Sequence, residues 1–337
     1  MTNSRTIGVG VVGLGVGEQH ARAFAAHPSC RWLRLADLDA ARAQALAASI
    51  DGAVAGTFDE MLADPDVHAV AIASFDDAHY QQVIAALAAG KHVFVEKPVC
   101  RTIDELASVK ERWLAAGGRL KLRSNLVLRA APVFGWLQDQ LRARSFGRLY
   151  AFDGDYLYGR LHKITGGWRR DVAEYSVFEG GGVHLVDLML WLTGERPSRV
   201  TASGNRVVSE GSAFRYNDFV AAAFEFDSGL LARITANFGC VQPHQHVVRV
   251  FGTEATFLSD DCGPRWWRSR DAGRRGEPLD LAPVAAHKGD LIPAFVLAIL
   301  DDGDDRVETQ GFFDGIAVCI AADRAAASGQ KEGIEYI

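Results

Sequence analysis

The sequence has few cysteines, and none of them stands in a spacing typical of a disulfide framework or a metal site. There are five among 337 residues, and they form no CxxC pair and no Cys/His cluster. An odd, dispersed set argues against structural disulfides and is typical of a reducing compartment. We therefore predict a cytoplasmic protein that binds no metal.

Long apolar runs and an excess of basic charge are also absent. No segment approaches the roughly 18 consecutive apolar residues of a membrane-spanning helix. The first apolar run, Ile7–Val12, is a better strand than the core of a signal peptide. The net charge is −6, so no basic field attracts nucleic acid or anionic lipid. We expect neither nucleic acid nor a membrane as a partner.

The first 123 residues alternate short runs rich in Val and Ile with Ala-rich stretches of helical period. Strands are predicted at 7–12, 32–36, 69–73, 92–95 and 119–123. Helices are predicted at 18–26, 40–49, 59–63, 80–89 and 102–116. Apolar strands that alternate with helices form a parallel sheet covered on both faces. The pattern predicts an α/β fold: a dinucleotide-binding, doubly wound Rossmann domain over residues 1–123.

Beyond residue 145 the pattern changes to strands joined by short turns. Strand-like runs lie at 147–158, 198–207, 217–226, 230–238, 246–251 and 255–259. The segments 227–229 and 252–254 are typical hairpin connectors, so their neighbours should pair antiparallel. Helical patterns flank these strands at 130–143, 182–193, 290–301 and 312–328. We predict a C-terminal α+β domain, residues 124–337, with a large, mainly antiparallel open sheet.

A glycine-rich turn joins the first strand to the first helix. The turn contains Gly13, Gly15 and Gly17, with Val16 between the last two. These glycines let the chain turn tightly, so that its backbone and a helix N-terminus can lie close to a pyrophosphate. The third glycine comes one residue earlier than in the usual GxGxxG spacing. An ordinary tight turn between strand and helix is the alternative interpretation.

Asp37 ends the second strand, about 20 residues beyond the glycines, where an acid binds the ribose hydroxyls and repels a 2′-phosphate. The next residue is Leu38 rather than an arginine, so NAD is favoured over NADP. Asp37 could also cap the helix that follows it.

Glu96, Lys97 and Pro98 follow the strand at 92–95, at the edge of a doubly wound sheet where ligands bind. A lysine there is a candidate proton donor to a substrate oxygen. A surface lysine at the end of a strand is the alternative.

From Gly13 to Pro98 the sequence resembles the Gfo/Idh/MocA oxidoreductases. The stretch 89–98, AGKHVFVEKP, is close to a signature of that family, and residues 64–70 and the loop from Ser74 to His79 also match. The resemblance implies that Lys97 is catalytic, that its bond to Pro98 is cis, and that Ser74, His79 and Glu96 bind the cofactor. It implies hydride transfer between NAD(P) and a secondary alcohol or ketone of a sugar-like substrate. It also implies a homodimer or homotetramer formed through the C-terminal sheet.

A second motif of that family is matched only in part. The family pattern resembles D-x-x-x-H-x-x-D, and His184 and Asp187 match its last two positions on one helix face. Gly180 stands in place of the first acid, with Glu179 one residue out of phase. His184 is therefore a candidate catalytic residue, and Asp187 a substrate-binding or orienting one. Whether Glu179 or a tyrosine (Tyr156, Tyr158 or Tyr175) replaces the missing acid stays open.

The segment before that helix has a polar, aromatic face. Strand alternation places Tyr156, Tyr158 and Arg160 on one side, followed by His162, a set that suits a polyhydroxy substrate. Trp168 and Arg169 match a pair that the family places near cofactor or substrate. Arg129 has either a structural or a substrate-binding role.

Two other functions fit the same residues. One is a glycosidase that retains NAD and oxidises its sugar transiently, and the other is a non-catalytic dinucleotide sensor. Lys97 and His184 favour an enzyme, because a sensor needs no proton-transfer pair, whereas Gly180 favours a sensor.

Overall fold

The computed structural model describes residues 6–337, which form two compact units. Among the described residues, the first comprises 6–127, Ala286–Phe313 and Ile337, and the second comprises Leu128–Ala285 and Asp314–Tyr336. The first unit therefore takes in a late segment of the chain that the sequence pattern assigned to the C-terminal domain. The boundary near residue 124 stays a prediction for the functional domains.

The first unit is built on a six-stranded parallel sheet. Its strand order, β3-β2-β1-β4-β5-β6, is that of a doubly wound Rossmann sheet. Its strands are β1 (Ile7–Val12), β2 (Cys30–Ala36), β3 (Ala53–Ala55), β4 (Val67–Ile72), β5 (His92–Val95) and β6 (Leu122–Ser124). This confirms the predicted fold class. Strand β3 was not predicted because three residues are too few to show an alternation.

Helices connect these strands, and their starts follow local capping chemistry. They are α1 (Gly17–Ala26), α2 (Ala40–Ala48), α3 (Phe58–Ala63), α4 (His79–Ala88) and α5 (Ile103–Ala115). The carboxylate of Asp39 accepts from the amides of Ala41 and Arg42 at the start of α2. Thr57 and Glu60 form a reciprocal capping box at α3. The alternative role of Asp37 as the cap of α2 was therefore wrong, since Asp39 fills it.

The second unit contains a nine-stranded sheet in the order β14-β13-β12-β11-β7-β10-β9-β8-β15. Its strands are β7 (Leu149–Leu157), β8 (Pro197–Asn205), β9 (Phe219–Phe226), β10 (Leu231–Asn237), β11 (Gln245–Gly252), β12 (Thr256–Ser259), β13 (Arg265–Trp267), β14 (Glu277–Pro278) and β15 (Glu332–Gly333). Strands β7 and β10 pair parallel and the other neighbours antiparallel. The predicted mainly antiparallel sheet and both predicted hairpins are confirmed.

The remaining helices are α6 (Pro132–Arg142), α7 (His162–Thr165), α8 (Val183–Thr193), α9 (Ile292–Asp301) and α10 (Arg306–Ser328). A π-helical turn, Phe178–Gly182, leads into α8. Helix α9 packs in the first unit, where Ile292, Phe295 and Val296 are buried in the core of the parallel sheet. The sequence pattern predicts this helix beside the antiparallel sheet. That prediction is wrong, because an apolar helical period does not reveal which sheet the helix covers. Across residues 6–337, no helix has the length and apolar character needed to cross a membrane.

Candidate active site

The three glycines after β1 occupy three different environments. Gly13 has a φ of +82°, and a Cβ there would lie 2.4 Å from the backbone nitrogen of Ser74, so only glycine fits this turn. A Cβ on Gly17 would lie 3.2 Å from the Cβ of Ala73, so α1 packs closely on the sheet. No atom lies within 4 Å of a Cβ built on Gly15. The loop therefore keeps an open approach to its backbone at Gly15, beside the N-terminus of α1, as a pyrophosphate requires.

Asp37 lies at the carboxyl end of β2 and binds back to the same loop. Its Oδ2 accepts from the amide of Leu14 at 2.6 Å, and its Oδ1 accepts from the amide of Asp39 at 2.9 Å. The guanidinium of Arg42 lies 3.6 Å from Oδ2. The acid is thus fixed beside the glycine loop, while its predicted contact with the cofactor ribose stays a prediction. Arg42 was missed, because it is five positions further along the chain and α2 turns it back towards Asp37.

His79 and Ser74 are held by hydrogen bonds within the first unit. The imidazole of His79 is fully buried, with Nδ1 2.7 Å from the carbonyl oxygen of Pro98 and Nε2 3.2 Å from that of Ser74. The hydroxyl of Ser74 is 2.6 Å from Oε1 of Gln82. His79 therefore links the loop after β4 to the segment after β5. Its predicted contact with the cofactor stays a prediction.

Glu96 is buried in a polar cluster at the end of β5. Its Oε1 accepts from Nδ2 of Asn125 at 2.7 Å and lies 3.3 Å from Nε2 of His20. Burial alone would raise the pKa of Glu96. The hydrogen bond and charge of His20, the charge of Lys97 and the hydrogen bond of Asn125 outweigh it and lower the pKa to about 2. Glu96 is therefore ionised next to Lys97. His20 and Asn125 were missed, since only the fold brings α1 and the segment after β6 to Glu96.

Lys97 follows at once, half-buried, and its bond to Pro98 is cis, as the resemblance implied. A second lysine of the same motif has a different role. The Nζ of Lys91 donates to the carbonyl oxygens of Asp64 and Val67, both at 2.7 Å, and so ties the start of β5 to the entry of β4. The motif thus contains one structural lysine and one at the ligand-binding edge of the sheet.

In the second unit, Tyr156 is the centre of an aromatic cluster. Its ring stacks on Tyr158, with centroids 6.0 Å apart, and on His184 at 6.2 Å. His244, His246 and Phe238 complete the cluster around it. Burial, and then the charges of Tyr158 and Tyr175, raise the pKa of Tyr156 far above its ordinary value, so its phenol stays neutral. Tyr156 and Tyr158 thus share one side of the strand, as predicted, and the fold adds His184 to them; their contacts with a substrate stay predictions.

His244 and His246 were missed. His246 pairs with Tyr156 across β11 and β7. Strand alternation alone could have placed it on the inner face, but the pairing register is needed to bring it to Tyr156.

The glycines of the π-helical turn are required by large neighbouring rings. A Cβ on Gly180 would lie 2.5 Å from Oη of Tyr175, and one on Gly181 would lie 2.4 Å from Cε1 of Tyr156. Gly182 packs in the same way on the ring of Phe178, at 3.1 Å. A π turn often marks a functional position in a helix. Here it places His184 at the start of α8.

Arg129 and Asp187 form a two-pronged ion pair inside the second unit, at 2.9 and 2.6 Å. The side chain of Asp187 is only 1% exposed, which favours an orienting role over substrate contact. The pair also gives Arg129 a structural role. Substrate binding by Asp187 stays a prediction.

Arg169 stacks on Trp168, with Cζ 4.5 Å from the ring centroid, and its Nε donates to Oη of Tyr175 at 2.9 Å. Arg160 lies over the ring of Tyr158 at 5.4 Å and reaches the edge of the aromatic cluster. His162 begins the short helix α7 and is exposed. The predicted contacts of Trp168 and Arg169 with the cofactor, and of Arg160 and His162 with the substrate, stay predictions.

Comparison with known proteins resolves the fold family. Residues 7–122 match the model described as an oxidoreductase family with an NAD-binding Rossmann fold, and residues 134–258 match the GFO/IDH/MocA C-terminal domain. The chain belongs to the Gfo/Idh/MocA oxidoreductase family. The family resemblance inferred from the sequence is confirmed.

Two curated relatives illustrate the range of similarity. An uncharacterized oxidoreductase of Synechocystis is 30% identical over 59% of this chain, a match that spans only 54% of that relative. An inositol 2-dehydrogenase of Acidothermus cellulolyticus is 28% identical over 97% of this chain and 94% of its own. The solved structure of a levoglucosan dehydrogenase in complex with NADH covers 99% of this chain and 100% of its own, with a TM-score of 0.84 and 22% identity. The structural similarity to the levoglucosan dehydrogenase shows that the two proteins share a fold.

As a Gfo/Idh/MocA protein, the chain is an oxidoreductase, and its first unit carries an NAD-binding Rossmann domain. The open space at Gly15, the fixed carboxylate of Asp37 and the free approach to the N-terminus of α1 fit that cofactor. In this family member, however, the turn before α8 carries Gly180, and its space is filled by Tyr175.

Proposed function

We propose that this protein is an NAD-dependent dehydrogenase that acts on a secondary alcohol of a sugar-like substrate, such as a sugar, inositol, sugar acid or sugar nucleotide. The proposal rests on the position of Lys97 in the parallel sheet. It follows β5 at the same sheet edge as the glycine loop after β1 and Asp37 after β2, because the carboxyl ends of parallel strands share one edge.

The second unit supports the substrate class. Tyr156 and Tyr158 form a buried stacked pair beside His184, a combination of aromatic surface and directional hydrogen bonding that suits the ring of a polyhydroxy substrate. Pockets that combine aromatic walls with few polar groups suit polyhydroxy ligands. Relatives of this chain include an inositol 2-dehydrogenase, and a structural neighbour is a levoglucosan dehydrogenase. Both names denote proteins whose substrates carry several ring hydroxyls.

Each protein group has a defined part in the reaction. NAD supplies the chemistry when bound, as it accepts the hydride from the carbinol carbon. The Nζ of Lys97 takes the hydroxyl proton as the carbon–oxygen double bond forms, and returns it in the reverse direction. Ionised Glu96 holds negative charge beside Lys97, and His184 assists at the substrate. The predicted roles of Trp168 and Arg169 are to hold cofactor or substrate.

The test is a coupled binding and turnover experiment on the full chain. NAD and NADP are titrated by calorimetry, and NADH formation is then followed with inositol, levoglucosan, glucose and glucuronate. Tight NAD binding with NADH formed from one of these classes is the expected result. NAD binding without NADH formation, but with cleavage of a glycoside, would shift the function to a glycosidase. NAD binding with neither reaction would shift it to a sensor.

We also propose that the protein is cytoplasmic and forms a dimer or tetramer through the outward face of the nine-stranded sheet. None of its five cysteines forms a disulfide within residues 6–337, which suits a reducing compartment. On that outward face Leu231 is 57% exposed beside an ion-pair network in which Asp155 binds Arg233 and Arg249. Around Asp155 this face therefore carries charged side chains beside the exposed Leu231. Light scattering of the purified protein measures the oligomeric state, and a monomer would contradict the proposal.

A further inference from the structure

Three side chains from distant parts of the first unit meet around one carboxylate at the end of β5. Oε1 of Glu96 accepts from Nδ2 of Asn125 at 2.7 Å and lies 3.3 Å from Nε2 of His20. The same Nε2 lies 3.2 Å from Nδ2 of Asn125, so each of the three groups contacts the other two. His20 belongs to α1 and Asn125 follows β6, so both the sheet and a helix that covers it hold this carboxylate.

The cluster is buried, and packing restricts its side chains. His20 and Asn125 are at most 1% exposed, and Glu96 is 9% exposed. The imidazole of His20 packs edge-on against Phe94 of β5, with ring centroids 5.4 Å apart. Packing and hydrogen bonds together therefore fix the position of the Glu96 carboxylate.

The cluster is poorly suited to a purely structural role. Within residues 6–337, Nδ1 of His20, Oδ1 of Asn125 and Oγ of the neighbouring Ser124 are buried and have no hydrogen-bond partner. A buried polar atom without a partner costs stability, and a catalytic role is one of the few reasons for a native protein to keep it. A core built for stability alone would place apolar side chains here. The cluster therefore points to a use for the charge that it holds.

That charge interacts with Lys97, the next residue. Burial favours the neutral form of Glu96, but the hydrogen bond and charge of His20 and the charge of Lys97 outweigh it and lower the pKa of Glu96 to about 2. The interaction is mutual, because a carboxylate that an ammonium group stabilises also stabilises the ammonium group. A further titratable group, His79 of α4, faces the same segment, with Nδ1 2.7 Å from the carbonyl oxygen of Pro98.

We propose that His20 and Asn125 are positioning residues that hold the Glu96 carboxylate as the counter-charge of Lys97, and that this counter-charge sets how readily Lys97 releases its proton. The proposal rests on the proposed dehydrogenase function, in which Lys97 exchanges a proton with the substrate hydroxyl. The neutral amine takes the proton during oxidation, and the ammonium group returns it during reduction. Without the counter-charge, Lys97 would lose its proton at a lower pH and would be a poorer proton donor.

The test measures the protonation of Lys97 without turnover. The purified full chain is trace-labelled with acetic anhydride at a series of pH values with no substrate added, and acetylation of Lys97 is quantified by mass spectrometry. Only the neutral amine reacts. Glu96→Gln keeps an oxygen for Asn125 but removes the charge. It should move the labelling curve of Lys97 about one pH unit to lower pH, which is about a tenfold rise in labelling below the midpoint.

A double variant tests whether His20 acts through Glu96. His20→Leu should move the labelling curve in the same direction by a smaller amount, because a buried carboxylate without this partner takes up a proton or turns away from Lys97. Glu96→Gln/His20→Leu should label like Glu96→Gln alone, since the group through which His20 acts is then absent. If His20→Leu does not fold, Asn125→Ser removes the other partner of Glu96 and takes its place in the cycle.

His92→Gln is the matched control. His92 lies at the opposite end of β5, where its Nδ1 accepts from the amide of Lys121 at 2.9 Å. The variant should lower the melting temperature and leave the labelling curve of Lys97 unchanged. A shift as large as that of Glu96→Gln would assign the effect to loosening of the strand and overturn the proposal.

The remaining outcomes separate the proposal from the proposed function. Coincident labelling curves for Glu96→Gln and the wild type would overturn the proposal, and a larger shift in the double variant would overturn the positioning role of His20. With the best substrate of the panel above, the acidic limb of kcat/KM should move together with the labelling curve. Absence of NADH formation in the wild type with every substrate would refute the dehydrogenase function, whereas the labelling shifts would still show the counter-charge.

Discussion

Arg129 and Asp187 bind each other through two hydrogen bonds, Nε to Oδ2 at 2.9 Å and Nη2 to Oδ1 at 2.6 Å, with the Asp187 side chain only 1% exposed. Asp187 lies three residues after His184 on α8, so this ion pair holds the helix that carries His184. A carboxylate buried this deeply is tolerable only with its partner.

Removal of one partner should therefore cost stability. Arg129→Met leaves the Asp187 carboxylate buried without its guanidinium, and the free energy of unfolding should fall by about 3 kcal/mol. The double variant Arg129→Met/Asp187→Leu, which removes both charges, should recover most of that loss. Denaturant unfolding of both variants measures these changes in the free energy of unfolding. If the single variant were as stable as the wild type, the pair would not hold the helix.

The two glycines Gly13 and Gly15 should respond differently to one added methyl group. Gly15→Ala meets no atom within 4 Å, so the fold should keep its melting temperature while NAD affinity falls at least tenfold, because the methyl group blocks the approach of a phosphate. Gly13→Ala has a left-handed φ and a contact at 2.4 Å, so it should lower the melting temperature instead. Equal NAD affinity in Gly15→Ala and the wild type would place the cofactor elsewhere.

Cofactor choice should depend on Asp37 and Arg42 together. Asp37→Asn keeps an oxygen for the amide of Leu14 but removes the charge that repels a 2′-phosphate, and it frees Arg42 to bind that phosphate. We expect the ratio of NAD to NADP affinity to fall about tenfold or more, measured by titration of both. Adding Arg42→Ala to Asp37→Asn should reverse the gain in NADP affinity. If the double variant keeps the raised NADP affinity, Arg42 does not bind the 2′-phosphate.

Two lysines of one motif provide an internal control. Lys97→Ala should lower kcat about 1,000-fold with NAD affinity nearly unchanged, since only the proton acceptor is lost. Lys91→Met leaves two backbone carbonyls without their donor and should lower the free energy of unfolding by about 2 kcal/mol. Turnover by the fraction of Lys91→Met that stays folded should match the wild type. Full activity of Lys97→Ala would remove Lys97 from the mechanism.

Stability should fall with rising pH because of Asp323. Its Oδ2 is inaccessible to solvent and has no hydrogen-bond partner among residues 6–337. Burial raises the pKa of Asp323 to about 7, although a hydrogen bond from Ser176 acts in the opposite direction and lowers it. Between about pH 4 and pH 7 the unfolded chain loses this proton and the folded chain keeps it. The free energy of unfolding should therefore decrease by up to about 1.4 kcal/mol per pH unit in that window.

Asp323→Asn should flatten this part of the stability profile, which denaturant unfolding at a series of pH values records. A decrease of the same slope in the Asn variant would assign the effect to another group.

Periodicity and glycine placement in the sequence determined both sheets, most helix bounds and the loop at Gly13–Gly17. These features are local: a run of buried Val and Ile residues, a glycine at a left-handed φ or a hairpin turn is encoded within a few neighbouring positions. The same local pattern placed Lys97 at a strand end and His184 on a helix face, whereas their catalytic roles were implied by the family resemblance and stay predictions.

Only the tertiary structure decided which distant residues meet. It brought His20 and Asn125 to Glu96, turned Arg42 towards Asp37, placed α9 on the parallel sheet, and packed Tyr175 on Gly180. The physical reason is that such contacts depend on strand register and on which apolar faces pack together. These are global choices of the core, and no local period specifies them.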